Sequence, residues 1–236
     1  MRTAVARALA SGALQPIATQ TEVIEGFVVR AASTIAAKAA APQRADPLGD
    51  YEPDLFVGDV GSAHYALLNK YPVVSNHLLI VTRRLAAQEE LLDAGDFRAL
   101  AALMAELDWL AFYNAGRDAG ASQARKHLQL APAAMPLEPL ITRGALPFRH
   151  GYAPLAGLDD MYRVYGELIA QSPAAPYNLL ATRRWMLVVP RRQERYETIS
   201  VNALGFAGSL FVRNSTELEA VRRAGPVNVL RAVTLE

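Results

Sequence analysis

The sequence predicts an α+β fold: a mainly antiparallel sheet flanked by helices. Three observations carry this. Short β-branched or alternating runs and helix-period segments are mixed along the chain, without the regular strand–helix–strand alternation that marks a parallel sheet. Hydrophobic residues make up 52% and charged residues 20% of 236 residues, enough for one sizeable core and far from a disordered composition. No apolar run approaches the roughly 18–20 residues of a membrane span, so the chain is expected to be soluble and cytoplasmic, with no membrane partner.

The elements follow in order. Arg2, Val5, Leu9 and Leu14 fit the edge of an amphipathic N-terminal helix, and Arg7 interrupts the apolar stretch that a signal peptide would need. Residues 22–29 read as a first strand. Residues 35–53 read as a flexible segment, rich in Ala and punctuated by Pro42, Pro47, Gly49 and Pro53. Residues 63–69 alternate loosely, and 78–82 (Leu-Leu-Ile-Val-Thr) form a β-branched apolar run, so both read as strands. Leu100, Leu103, Met104 and Leu107 lie at helical spacing and predict a helix over 96–108. Residues 110–113 either extend it or return to strand. Asn114, Gly116 and Gly120 mark a turn, and 126–130 read as a strand.

Pro132, Pro136, Pro139, Pro147 and Pro154 forbid a long helix over about 131–157, which reads as irregular. A helix over 158–171, strands over 177–180 and 185–189, and a last helix complete the pattern. That helix is capped by Asn214 or Ser215 and stopped by Gly225-Pro226. The whole chain, 1–236, reads as one domain.

Composition also limits function. Lys and Arg number 24 against 23 Asp and Glu, a net charge of +1, which argues against nucleic acid as a partner. There is no cysteine, which excludes disulfides, thiolate zinc sites and thiol catalysis.

The segment richest in chemistry is 120–130. In an extended strand Arg125, His127 and Gln129 share one face, and Lys126, Leu128 and Leu130 the other. A cation, an imidazole and an amide in a row suit a phosphate chain. Gly116, Gly120, Ser122 and Gln123 precede them, and a glycine-bearing loop lets backbone N–H groups approach phosphate oxygens. Taken alone, the same residues also read as a structural histidine after an ordinary turn. Trp185 and Phe206 read as core, His64 and His150 as structural or surface residues, and the pairs Arg183-Arg184 and Arg191-Arg192 as a solvated basic face or a polyphosphate attractor.

Several further stretches turn this reading toward one family. They are Asn69-Lys-Tyr-Pro-Val73, Asn76-His-Leu-Leu-Ile-Val-Thr-Arg83, Ala111-Phe-Tyr-Asn-Ala-Gly116, Gly120-Ala-Ser-Gln123 and Lys126-His-Leu-Gln129. In the C-terminal part come Tyr177-Asn-Leu-Leu180, Thr182-Arg-Arg-Trp-Met186 and Ser200-Val-Asn-Ala-Leu-Gly-Phe-Ala-Gly208. Together, and in this order, they resemble the ATP adenylyltransferases, the diadenosine tetraphosphate phosphorylases of the histidine-triad superfamily, in its galactose-1-phosphate uridylyltransferase-like branch.

The resemblance implies a histidine-triad-like fold. It implies cleavage of diadenosine tetraphosphate by inorganic phosphate to ATP and ADP, through a nucleotidyl-histidine. The family pattern is His-x-His-x-Gln, which places the nucleophile at His127 and its companion at Gln129. The first His of that pattern is Arg125 here. Phosphate contacts are expected from Lys38, Asn114, Gly120, Ala121, Ser122, Gln123 and Arg125, and nucleotide contacts from Asn69, His77, Asn178, Thr182 and Met186. Mg²⁺ is expected to arrive with the polyphosphate rather than on protein ligands. The expected partners are thus a dinucleoside polyphosphate and inorganic phosphate. A hydrolase using water, and a non-catalytic nucleotide binder with Arg125 in place of His, are the alternatives. Monomer or homodimer, base preference and chain length stay open.

Overall fold

Two β-sheets and a small hairpin organise the chain, whose computed structural model describes residues 1–32, 45–172 and 176–236. The large sheet has eight strands in the order β3-β4-β5-β7-β6-β9-β10-β8. They are β3 (Phe56–Val60), β4 (His64–Leu68), β5 (Leu78–Thr82), β6 (Leu110–Asn114), β7 (His127–Ala131), β8 (Gly151–Pro154), β9 (Tyr177–Ala181) and β10 (Trp185–Pro190). Every neighbouring pair in it is antiparallel. A second sheet joins β1 (Thr19–Ile24) and β2 (Phe27–Ala32) to β13 (Ser209–Val212), with β2 and β13 parallel. Strands β11 (Arg195–Tyr196) and β12 (Ile199–Ser200) form the hairpin.

Alternation along the central strands sorts the core. Leu78 and Ile80 of β5 and Leu128 and Leu130 of β7 are buried on one face with Phe97, Leu100 and Met104 of helix Ala94–Glu106 and Val164 and Leu168 of helix Met161–Ala170. Burying one such side chain contributes roughly 1.5–3 kcal/mol. On the other face, Phe112, Leu180, Leu187 and Trp185 pack with Phe27, Val29, Leu210 and the C-terminal helices Ser215–Ala224 and Pro226–Val233. A smaller cluster of Leu48, Tyr65, Leu67, Leu79 and Val81 sits at the β4–β5 end.

Local chemistry explains the boundaries, including those the sequence misplaced. The predicted helix over 96–108 starts two residues earlier, because Asp93 accepts the N–H groups of Gly95 and Asp96 while the Asp96 carboxylate accepts that of Asp93. It ends at Glu106, and 110–114 are strand, not helix. The single strand read at 22–29 is a hairpin whose turn residues, Glu25 and Gly26, take φ of 48° and 83°. Residues 131–157 hold a four-residue helix, Glu138–Ile141, and the edge strand β8, so the stretch is only partly irregular. Strands β3 and β13 were not expected at all. Neither was helix Pro226–Val233, which Pro226 begins rather than prevents. Of the segment read as flexible, 35–44 lies outside the described residues. From Ala45 on it packs down: Leu48 is buried, and its carbonyl accepts the Tyr65 hydroxyl at 2.8 Å.

Candidate active site

A cleft of about 800 Å³ opens where the C-terminal core and the β4–β5 cluster leave the centre of the large sheet uncovered. Its floor carries His127 and Gln129 of β7, Leu79 of β5 and Asn114 of β6. Register places Leu79 and Phe112 opposite Gln129, and Val81 opposite His127.

His127 is buried, and its Nδ1–H donates to the Arg125 carbonyl at 2.8 Å. That bond fixes the tautomer and leaves Nε2 with a free lone pair. Burial pushes the imidazole below its ordinary pKa, so it is neutral at pH 7. Gln88 clamps the backbone at this point. Its Oε1 accepts the His127 N–H at 2.8 Å, and its Nε2 donates to the carbonyls of Asn114 and His127 at 2.8 and 3.2 Å.

Gln129 is held by a polar chain of fixed direction. Asn69 Nδ2 donates to His77 Nδ1 at 3.0 Å, so the His77 proton resides on Nε2, which donates to Gln129 Oε1 at 2.9 Å. The Gln129 amide N–H groups are what remain for a ligand. Burial, and secondarily the neighbouring His127, lower the His77 pKa to about 4 although the Gln129 bond opposes them, so His77 is neutral too. Asn69 and His77 both line the cleft.

The loop before β7 supplies donors. Gly116 and Gly120 have φ of 86° and 87°, and a Cβ at Gly120 would lie 2.5 Å from the Val201 carbonyl oxygen. Glycine lets the loop press against 201–202, another wall of the cleft. Ser122 and Gln123 follow it and line the cleft. Among the described residues, their backbone N–H groups have no protein acceptor. Ala121 instead donates its N–H back to the Gly116 carbonyl. Asn114 Oδ1 accepts from Asn178 Nδ2 and the Ala203 N–H, which leaves the Asn114 amide donors for the cleft.

Ala121 does not line the cleft, and four more expected residues stand elsewhere. The alternation that put Arg125 beside His127 assumes a strand running back to 125. Strand β7 begins at His127, and Arg125 belongs only to an isolated bridge with Ala87. Its guanidinium is spent on the carbonyls of Thr82 and Arg83, at 2.8 Å each, and on Asp46 at 2.5 Å, and it does not line the cleft. Asn178 is fully buried behind Asn114, bonded to Asn114, Ala119 and Arg191. Met186 lies in the core under the helices. Thr182 borders a separate hollow near Asp108 and Trp109. Lys38 lies outside the described residues.

Three features escaped the sequence reading. Arg191, read as part of a solvated basic face or a polyphosphate attractor, is 1% exposed. It donates to Asn178 Oδ1 and to the carbonyls of Ala119, Val201, Gln193, Glu194 and Val233, knitting the glycine loop to the 201–202 wall. Burial pulls its pKa down to about 9, which leaves it charged at neutral pH. Behind the nucleophile strand lies a buried ionic cluster. Lys126 Nζ meets Asp96 Oδ2 at 2.6 Å and the Leu91 carbonyl at 2.7 Å, and His64 Nε2 meets Asp96 Oδ1 at 2.8 Å. Arg30 of β2 and Ser209 of β13 also line the cleft. Motif reading touched Lys126 and Arg191 but not their burial, because only the packing reveals which charges are buried.

A buried neutral imidazole with Nε2 free, oriented amide donors and a loop of open N–H groups on an antiparallel sheet define a cleft built for phosphate esters, and the chain is a nucleotidyltransferase. Residues 1–147 match the family model described as the Ap4A phosphorylase N-terminal domain, and residues 144–236 that of the ATP adenylyltransferase C-terminal domain. The chain belongs to the Ap4A phosphorylase family. It is 28% identical to diadenosine 5',5'''-P1,P4-tetraphosphate phosphorylase 2 of Saccharomyces cerevisiae, over 74% of this chain and 70% of that one. Protein APA1 of the same yeast is 25% identical over 73% and 70%. In fold, the chain resembles the crystal structures of yeast Ap4A phosphorylase Apa2 in complex with AMP (23% identity) and with Ap4A (22%). Each has a TM-score of 0.83 and covers 99% of this chain and 95% of the other.

Proposed function

We propose that the chain cleaves diadenosine tetraphosphate with inorganic phosphate, giving ATP and ADP, and that His127 carries the nucleotidyl group between two displacements. The observation that carries the reading is the His127 Nδ1–H bond to the Arg125 carbonyl, which aims an unprotonated Nε2 lone pair into the cleft. In the first step Nε2 attacks the α-phosphorus, the P–N bond forms, and the P–O bond to the departing ATP breaks. In the second, an oxygen of inorganic phosphate attacks the same phosphorus, the P–N bond breaks, and ADP leaves with His127 restored. The amide donors of Gln129 and Asn114 and the N–H groups of Ser122 and Gln123 are positioned to take the charge that grows on the phosphorus oxygens.

Arg125 in place of the first motif histidine does not block this site, because its side chain turns away while its carbonyl performs the orienting task. That favours an active transferase over a non-catalytic binder. Mg²⁺ enters with the polyphosphate oxygens; among the described residues no cluster of three or more His, Cys, Asp or Glu could hold a metal ion. Among them, too, no helix is long and apolar enough to cross a membrane. A cysteine-free nucleotide enzyme fits the cytoplasm.

The test is incubation with diadenosine tetraphosphate, with and without phosphate, for the wild type and His127→Ala. Phosphate-dependent ATP and ADP are expected, with a loss on the order of 10³-fold or more in the variant. Unchanged turnover in His127→Ala would refute the assignment. Phosphate-independent release of ATP and AMP would mark a hydrolase instead.

A further inference from the structure

We propose that Arg30 and Ser209 form a second phosphate subsite, on the wall of the cleft built by β2 and β13. It takes a phosphate group that does not react with Nε2: inorganic phosphate awaiting the second displacement, or the outer phosphates of the polyphosphate chain. The proposal rests on reading the cleft as a nucleotidyl-transfer site.

Charge accounting singles out Arg30. Four other cations lie in or beside the cleft, and each has a carboxylate: Lys70 with Glu52, Arg213 with Glu217, Arg195 with Glu194 and Arg125 with Asp46. Arg30 has none among the described residues. Its one side-chain bond there runs from Nη1 to the Ser209 hydroxyl oxygen. It sits on β2, the central strand of the smaller sheet, opposite Phe211 of β13, and is half-buried. Burial lowers its pKa, yet a guanidinium stays charged at any physiological pH. A partly desolvated cation without a counter-charge destabilises the fold unless an anion arrives from solution.

The geometry suits a phosphate. The Ser209 oxygen accepts from Arg30, so its own proton is free to be donated, and both residues line the cleft that holds His127. The remaining guanidinium donors match two oxygens of one phosphate. Strands β2 and β13 hold the two side chains in one sheet, whose backbone is already paired.

The experiment compares wild type with Arg30→Gln, Arg30→Lys and Ser209→Ala. Three quantities are read: the KM for inorganic phosphate in turnover; the concentration dependence of nucleotidyl-His127 formation from diadenosine tetraphosphate without phosphate; and the heat of tripolyphosphate binding to unreacted enzyme. Loss of one charged hydrogen-bonding group predicts a weakening of about 10- to 100-fold in Arg30→Gln, partial recovery in Arg30→Lys and a smaller loss in Ser209→Ala. A raised phosphate KM with adduct formation intact identifies the subsite as the acceptor's. Weakened adduct formation with the phosphate KM intact identifies it as that of the outer phosphates. All three quantities within twofold of wild type, in variants that melt normally, overturn the proposal. If the wild type forms no adduct, the transferase reading fails, and tripolyphosphate binding still decides whether the subsite exists.

Discussion

Replacing Lys126 by Met removes one charge from the cluster behind the nucleophile and little else, since methionine keeps most of the methylene volume. Lys126 and Asp96 have side chains 1% and 2% exposed, so neither charge is shared with solvent. Burial alone would raise the Asp96 pKa, but hydrogen bonds from His64, Lys126 and the Asp93 N–H outweigh it and hold the carboxylate ionised. Breaking a buried pair by deleting one partner costs about 3–5 kcal/mol, because the other charge is stranded. Asp96 keeps His64 at 2.8 Å and the Asp93 N–H at 2.9 Å, which points to the low end, about 3 kcal/mol. At roughly 2–4 °C per kcal/mol for a chain of this size, the melting temperature should fall by about 6–12 °C. Urea unfolding of the wild type, Lys126→Met, Asp96→Asn and the double variant forms a cycle. The double variant should be more stable than the sum of the single losses by at least about 1 kcal/mol, since it leaves no orphan charge. A single-variant loss below 1 kcal/mol, or strict additivity, would show that the cluster is not the electrostatic unit inferred here. Lys126 also neighbours Arg125, whose carbonyl orients His127, so nucleotidyl-histidine formation should slow in Lys126→Met beyond what lost stability explains.

Two further outcomes follow from the cleft. The unfolded chain takes up a proton at His77 near pH 6.5, whereas the folded chain resists until about pH 4. Stability is therefore full above pH 6.5 and falls by about 3 kcal/mol as pH drops toward 4; in urea midpoints at pH 7.5 and 4.5, His77→Gln should lose that part of the pH dependence, and an identical slope would contradict the neutral buried imidazole. Gly120→Ala drives a Cβ to 2.5 Å from the Val201 oxygen at φ +87°, so a loss of about 1–3 kcal/mol and a disproportionate fall in adduct formation are expected, and wild-type unfolding and kinetics would refute the close approach.

Sequence patterns served best where one rule acted alone. The β-branched run at 78–82 became a central strand because burial on both faces suits it, whereas 110–113, left open between helix and strand, resolved as strand only through its pairing with β7 and β9. Strand β3 was missed because Gly58 interrupts its pattern, and β13 because four residues carry too little periodicity. Of the expected site, Asn69, His77, Asn114, Gly120, Ser122, Gln123, His127 and Gln129 converge on one cleft. Arg125 was misplaced by a two-residue error in where a strand begins. A motif match at Asn178, Thr182 and Met186 names a stretch but not the face each side chain takes. Arg30 carries no motif, and although Val189-Pro-Arg191 matches the family, the burial of Arg191 arises from contacts with Ala119, Val201 and Val233.

The meeting of β6 with β9 has a consequence for how the molecule can be divided. Residues Ala111 to Asn114 pair with Asn178 to Ala181, so strands from the two family-matched regions lie side by side within one sheet. A fragment ending near residue 147 would bare a fully buried strand edge to water, an open template for pairing with other chains. Separately produced halves should therefore clump when alone and dissolve when made together, each sealing the other's raw border.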